Sequence, residues 1–239
     1  ACQKAAVVQD TVAFEIVFSQ IEARYQSIVD GLGTHFDIHT PLQSVRHAIW
    51  EGADADYAAS RGEYLNGLIL ADLLHIPFID PAGGILFDAN GNFDENGTQL
   101  RFSALLARHE RGVITGFYGV MPGGRIKTFS RGGSDITGAI VARAVGADLY
   151  ENWTDVSGFL MTDPRIVPNP RTISKISYRE LRELSYMGAS VLHEDSIFPV
   201  QKGGIPINVK NTNDPEHPGT MILAEPEDDH GCITGIAGK

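Results

Sequence analysis

The chain has 239 residues, of which 43% are hydrophobic, so it can bury one substantial core and we expect one large domain. Thirty acidic against 19 basic residues give a formal net charge of −11, which makes nucleic acids and anionic membranes poor partners. No apolar run approaches the length of a membrane span, and two distant cysteines indicate neither a disulfide framework nor a metal cluster. These features favour a cytoplasmic protein. Because the net charge is negative, an anionic ligand would need locally placed arginines or lysines.

The first half of the chain predicts mainly helices. Apolar residues at helical spacing over 14–28 predict an amphipathic helix that Gly31 and Gly33 end. Ser60 followed by Glu63 has the pattern of a capping box, so we expect the next helix to begin there. The acidic segment 88–94 partly matches a calcium loop, but Phe93 stands where that loop needs glycine, and a polar turn is favoured.

Short strands and turns are predicted between this helical region and residue 131. Residues 76–80, 84–88 and 112–119 have the apolar character of buried strands, and residues 100–107 predict a short helix. Residues 121–124, Met-Pro-Gly-Gly, predict a hairpin turn that leads into a further strand.

The stretch 127–141 predicts a strand, a two-glycine turn and a helix. Strand alternation would place Lys127, Phe129 and Arg131 on one face, and Gly132 and Gly133 would let a ligand approach the backbone closely. Ser134 is the expected N-cap, and Asp135 lies where a carboxylate suits the helix dipole. A helix N-terminus next to an arginine suits a carboxylate or phosphate, but a plain strand-to-helix connection fits this local pattern equally well.

The last third predicts alternating strands and helices. Residues 147–153 predict a strand that ends before Thr154 and Asp155, the position at which α/β sheets bind ligands. A second capping box, Ser177 with Glu180, predicts a helix that Gly188 ends. Strands are expected at 204–210 and 221–223. This alternation predicts a three-layer α/β sandwich.

Four motifs then occur in one order: Arg131-Gly-Gly-Ser-Asp135, Trp153-Thr-Asp-Val156, Thr162-Asp-Pro-Arg165 and Gly188-Ala-Ser-Val-Leu-His193. Together they resemble the catalytic domain of aspartate kinases, in the amino acid kinase family. The resemblance implies a three-layer αβα sandwich with a mainly parallel sheet, the carbamate kinase-like fold. It also implies a catalytic domain over 1–224, and a linker with the first strand of an ACT regulatory domain over 225–239. We expect a fragment without the family's N-terminal Lys-Phe-Gly-Gly strand and loop.

The resemblance implies a reaction and its participants. Aspartate kinases transfer the γ-phosphoryl group of ATP to the β-carboxylate of L-aspartate, giving 4-phospho-L-aspartate for lysine, threonine and methionine biosynthesis. Mg²⁺ would be held through the ATP phosphates and not by protein ligands, and the full-length protein would be a homodimer. The alternatives are a non-catalytic amino-acid sensor, or a kinase of the same fold for another small carboxylate.

The resemblance also assigns roles to residues of this chain. Arg131 would bind the α-carboxylate of aspartate and Glu63 its ammonium group, although Glu63 could instead act only as a helix cap. Asp135 would orient lysines and phosphates. The remaining substrate-binding candidates are Gly132, Gly133, Ser134, Gly116 and Phe117, and the nucleotide-binding candidates are Thr154, Asp155, Leu160, Asp163, Arg165, Ser190 and Val191.

Two positions depart from the family's pattern. Ser190 stands where many members have a lysine that neutralises the transferred phosphoryl group, and Leu160 stands where a tyrosine is frequent. Lys127, Lys202 and Lys210 are possible replacements for the missing lysines. We favour Lys127 as the catalytic cation, because strand alternation places it on the same face as Arg131.

Overall fold

The computed structural model describes residues 1–186, 194–225 and 234–236. The chain divides into two compact units, Ala1–Phe129 (unit 1) and Ser130–Lys239 (unit 2). None of the described helices combines the length and apolar character that crossing a bilayer requires.

Unit 1 is built mainly from helices. The predicted amphipathic helix is confirmed: Asp10 caps its start, Phe14 and Phe18 are buried, and Gly33 ends it in the left-handed conformation. These side chains belong to one apolar core that packs the first four helices together. The helices of unit 1 are α1 (Cys2–Val7), α2 (Thr11–Leu32), α3 (His39–Trp50), α4 (Ala55–Leu74) and α5 (Glu95–Leu106).

The prediction that a helix begins at Ser60 was wrong. Helix α4 begins a turn and a half earlier, because the carboxylate of Asp54 accepts a hydrogen bond from the backbone N–H of Tyr57. Ser60 therefore lies inside the helix, where its buried hydroxyl donates to the carbonyl of Tyr57 at 2.7 Å. Glu63 consequently projects from the middle of a helix and has no capping role.

The strands of unit 1 are shorter than predicted. Segments 76–80 and 84–88 contribute only isolated bridges: two parallel ones, Phe78 with Val113 and Leu86 with Val120, and an antiparallel one between Phe87 and Phe93. The predicted hairpin is confirmed: β1 (Tyr118–Val120) pairs antiparallel with β2 (Ile126–Thr128) across the Met-Pro-Gly-Gly turn. The polar turn is confirmed too, since Asp88 accepts backbone hydrogen bonds from Asn90 and Asn92.

Unit 2 contains a four-stranded sheet with the order β3-β5-β6-β4. Strand β3 pairs parallel with β5 and β4 pairs parallel with β6, whereas β5 and β6 are antiparallel. The sheet is therefore mainly parallel, as the family resemblance implies. The elements are α6 (Gly133–Val145), β3 (Tyr150–Thr154), β4 (Lys175–Ser177), α7 (Tyr178–Tyr186), α8 (Glu194–Gly203), β5 (Ile207–Asn211) and β6 (Thr220–Leu223).

Helix α7 begins with the predicted capping box. The Glu180 carboxylate accepts from the backbone N–H of Ser177 at 2.9 Å, and the Ser177 hydroxyl accepts from the backbone N–H of Glu180 at 3.1 Å. Helix α8 was not predicted, and it contains Pro199, a residue that is unfavourable in a helix interior. The predicted end of α7 at Gly188 lies outside the described residues, as does most of the expected segment 225–239.

Candidate substrate and nucleotide sites

The two-glycine turn ends directly in helix α6. Gly132 is the N-cap residue, with a φ of 54° that favours glycine, and the helix begins at the buried Gly133. Ser134 was predicted as the N-cap, and this is wrong, because glycine occupies the position that needs the left-handed backbone. Gly132 offers no side-chain cap, so the first backbone N–H groups of the helix retain their capacity to bind an anion.

Arg131 lies beside this helix start and is exposed. Strand β2 ends at Thr128, so the prediction that Lys127 and Arg131 share a strand face was wrong. Within the part of the chain that the structure describes, no carboxylate forms an ion pair with Arg131. Its guanidinium therefore keeps the planar pair of donors that suits a ligand carboxylate.

Asp135 lies in the first turn of α6 and is half-buried. One of its carboxylate oxygens, Oδ1, accepts a hydrogen bond from the Asn152 side-chain amide at 3.1 Å. Its backbone carbonyl accepts from the hydroxyl of Tyr150 at 3.3 Å. Strand β3 thus holds both the backbone and the side chain of Asp135.

Thr154 and Asp155 lie at the C-terminal end of β3, as predicted. The Thr154 hydroxyl donates to the Asp155 carboxylate at 3.3 Å, and the Thr154 carbonyl accepts from the backbone N–H of Thr212 at 2.8 Å. Asp155 is exposed, so this strand end presents polar groups to solvent. That is the position at which parallel strands bind ligands in α/β sheets.

The segment 160–165 contains an ion pair and an isolated β-bridge. Arg165 and Asp163 form an ion pair at 2.6 Å, and hydrogen bonds from Arg165 lower the pKa of Asp163 to about 2. Arg165 remains 87% exposed, so its charge is also available to solvent anions. Leu160 is exposed and forms a bridge with Thr172. The candidates Ser190 and Val191 lie outside the described residues.

In unit 1, Glu63 is exposed on α4, two residues after the buried Arg61, so the two side chains lie on different faces of the helix. Arg61 stacks against the rings of Tyr57 and Tyr64, at 4.4 and 4.6 Å from their centroids. Its guanidinium also donates to the Ser60 hydroxyl at 2.9 Å. These contacts fix the central turns of the helix that carries Glu63.

Lys127 forms an ion pair within unit 1. Its ammonium group lies 2.9 Å from the Asp56 carboxylate, which also accepts from the Thr128 hydroxyl at 2.5 Å. Burial alone would raise the pKa of Asp56, but the hydrogen bonds from Thr128 and Lys127 outweigh it, and the pKa is lowered. Lys127 therefore attaches strand β2 to the first turn of α4.

Gly116 and Phe117 precede strand β1. Phe117 has a φ of 62°, which side-chain-bearing residues rarely adopt, and its carbonyl accepts from the backbone N–H of Phe129 at 2.9 Å. Backbone strain of this kind is frequent at functional sites. The positive φ of Phe117 is therefore the feature of this pair that fits a functional site.

Sequence reasoning missed Asn152, Asp56 and Arg61 as parts of these networks. Asn152 could have been found as a polar residue at an inward position of a strand, but Asp56 and Arg61 had no comparable signal. No group of three or more His, Cys, Asp or Glu side chains in the described ranges is arranged to hold a metal ion.

The sequence profile of the amino acid kinase family matches residues 11–211. The chain belongs to the amino acid kinase family. Membership in this family confirms the expected fold class, an αβα sandwich with a mainly parallel sheet.

Several of the proteins to which this chain is similar are aspartate kinases. Aspartokinase 3 of Bacillus subtilis is 46% identical over 125 residues, which is 52% of this chain and 28% of that protein. The Clostridium acetobutylicum aspartate kinase structure is 56% identical, covers 99% of this chain and 54% of its own, and has a TM-score of 0.92. Escherichia coli aspartokinase III in complex with aspartate and ADP is 25% identical, with a TM-score of 0.73 over 88% of this chain and 52% of its own. The chain spans only about a quarter to a half of these relatives.

Proposed function

We propose that the protein carrying this chain is an aspartate kinase, which transfers the γ-phosphoryl group of ATP to the β-carboxylate of L-aspartate. The observation that supports this most strongly is the 56% identity to an aspartate kinase over 99% of the chain. We further propose that residues 1–224 form the catalytic domain and that residues 225–239 lead into an ACT regulatory domain.

In this proposal Arg131 binds the α-carboxylate of L-aspartate. The support is its exposed guanidinium next to the N-terminus of α6, where the backbone N–H groups of Gly132 and Gly133 add positive potential. Ser134, in the first turn, would add a hydroxyl donor. A guanidinium and helix N–H groups are donors that suit a carboxylate.

Glu63 is proposed to bind the ammonium group of the substrate. Its carboxylate is exposed on α4, whereas the guanidinium of Arg61 is buried against tyrosine rings. Glu63 therefore does not form an ion pair with Arg61. Gly116 and Phe117 are proposed to line the substrate site, with the strained backbone at Phe117 as the support.

The nucleotide is proposed to bind at the C-terminal end of β3. Thr154 and Asp155 supply polar groups there, Arg165 supplies an exposed cation for phosphate, and Leu160 an exposed apolar side chain. Ser190 and Val191 complete the proposed set. Mg²⁺ bound to the ATP phosphates would supply further neutralisation of their charge, and this donor set fits phosphates better than a protein-bound metal.

The chemistry of the acceptor decides what the protein must do. The β-carboxylate is already ionised at neutral pH, so the reaction needs no general base. The difficulty is to bring two anions together, and catalysis then consists of positioning and charge neutralisation. We assign Asp135 to orienting cationic groups and phosphates. Lys127, whose ammonium group also pairs with Asp56, is proposed to neutralise charge on the transferred group.

Trapping with hydroxylamine tests the proposal, since an acyl phosphate reacts with it to give a hydroxamate, which forms a coloured complex with iron(III). The full-length protein with ATP, Mg²⁺ and L-aspartate is expected to form hydroxamate, and glutamate, N-acetylglutamate or carbamate should give far less. Hydroxamate formed faster from one of these other substrates would instead assign a different acceptor within the family.

The second candidate function is a non-catalytic amino-acid sensor, which the serine at position 190 favours. A sensor would bind aspartate without producing hydroxamate or ADP. Calorimetric titration with L-aspartate alongside the trapping assay distinguishes the two functions.

A further inference from the structure

Among the described residues of unit 2, Asn152 is one of the few buried polar side chains. It lies on β3 and is only 8% exposed. Its amide nitrogen, Nδ2, donates to Asp135 Oδ1 and to the Tyr150 hydroxyl, each at 3.1 Å. One amide hydrogen is thereby donated to a side chain of α6 and the other to a side chain of the same strand.

The backbone around this amide allows little freedom. A Cβ atom at Gly138 would lie 2.4 Å from the Tyr150 hydroxyl oxygen, so glycine is needed for this ring to approach α6. Burial raises the pKa of Tyr150, which keeps its hydroxyl protonated at neutral pH and able to donate to the Asp135 carbonyl. Strand β3 is thus held against the first turns of the helix.

The choice of an amide has a chemical consequence for Asp135. A neutral donor fixes one carboxylate oxygen without adding a positive charge that would compete with other cations. The second oxygen, Oδ2, accepts no hydrogen bond from the residues that the structure describes. A leucine at this position would remove the donor, and an ionised aspartate would repel the carboxylate.

We propose that Asn152 is a positioning residue of the phosphoryl transfer reaction: it holds Oδ1 of Asp135 and leaves Oδ2 for the groups that Asp135 orients. This inference rests on the proposed kinase function. Neither the four sequence motifs nor the roles implied by the family resemblance include Asn152.

Two substitutions in the full-length protein test the inference. Asn152→Leu is expected to lower kcat about 10- to 100-fold, the effect of misplacing a reacting group, with KM for aspartate and ATP changed less than about threefold. Asn213→Leu, which removes an exposed amide from a loop of the same unit, is the matched control and should keep the wild-type kcat.

Asn152→Asp separates positioning from a merely structural role. Two adjacent carboxylates share a proton with a raised pKa, and the protonated form can donate to Asp135 as the amide does. The kcat of Asn152→Asp relative to wild type should therefore rise as the pH falls from about 8 to about 6. The melting temperature of Asn152→Asp is measured at both pH values: a structural role predicts that it rises together with the kcat ratio as the pH falls, whereas a positioning role predicts a rise in the ratio alone.

The outcomes are distinguishable. An active wild type with an unchanged kcat in Asn152→Leu, or a pH-independent ratio for Asn152→Asp, would overturn the positioning role alone. A wild type that forms no hydroxamate would overturn the proposed function, and this inference with it.

Discussion

In unit 1 the candidate Glu63 projects from the 20-residue helix α4, which side-chain contacts hold at several points: Arg61 against two tyrosine rings and Asp56 against Lys127. In unit 2 the candidates at 131–135 depend on the backbone of two glycines and on the amide of Asn152. Arg61 and Lys127 in unit 1 thus have structural partners, whereas Arg131 has none among the described residues. Substitutions at Arg61 and Lys127 should therefore affect stability and activity together, and those at Arg131 activity alone.

The largest expected effect is at Arg131. Arg131→Ala should lower kcat/KM for aspartate about 10- to 150-fold, the value of a hydrogen bond between charged groups, and leave the melting temperature unchanged. Arg111→Ala, at another exposed arginine, is the control. Steady-state kinetics with thermal melting checks both parts, and a large fall in melting temperature would show that Arg131 has a structural partner after all.

Glu63→Ala should raise KM for aspartate about 10-fold or more, because a substrate ammonium would lose its charged acceptor, with KM for ATP within about twofold. Glu110→Ala, at an exposed glutamate of the same unit, serves as the control. Equal increases in the two KM values would refute the assigned role.

Lys127→Ala sharpens the comparison, since this residue has both a proposed catalytic role and an ion pair. Loss of a cation that neutralises phosphoryl charge should lower kcat about 10-fold. Asp56→Asn breaks the same ion pair but keeps the lysine, and should retain most of the turnover. Equal losses in both variants would assign Lys127 a structural role only, and an unchanged kcat in Lys127→Ala would remove it from the mechanism.

The smallest effect concerns the pH dependence of stability in unit 1. The folded-state pKa of Asp56 is lowered. Its contribution to the free energy of unfolding is therefore fully present above the unfolded-state pKa near 4, and it is lost as the pH falls through the lowered folded-state pKa. Asp56→Asn should therefore reduce the free energy of unfolding at pH 7 by less than about 1 kcal/mol, and the difference should shrink below about pH 4. Urea unfolding at several pH values measures this. A difference that grows in acid would contradict the assignment.

Sequence reasoning predicted the features that depend on local chemistry. The capping box at Ser177, the hairpin turn and the polar turn at Asp88 were confirmed, because each is decided by residues within a few positions of one another. The start of α4 was missed because Asp54, an equally good cap, precedes Ser60. The N-cap of α6 was missed because backbone conformation, not side-chain type, decided it.

The candidate site was predictable as motifs but not as a network. The four motifs identified the Arg131 turn and the end of β3, since their spacing is specific to a family. The Asn152–Asp135 and Asp56–Lys127 contacts join residues 17 and 71 positions apart, and no local pattern encodes such pairs. The short strands of unit 1 were overestimated because apolar segments there pack through isolated bridges.

The most direct test of the central claim is ³¹P NMR of the full-length protein incubated with ATP, Mg²⁺ and L-aspartate. The proposed function predicts an acyl phosphate signal that appears with ADP, requires aspartate and is strongly reduced in Arg131→Ala. Production of ADP and inorganic phosphate without an acyl phosphate, or the same acyl phosphate yield from Arg131→Ala, would contradict it.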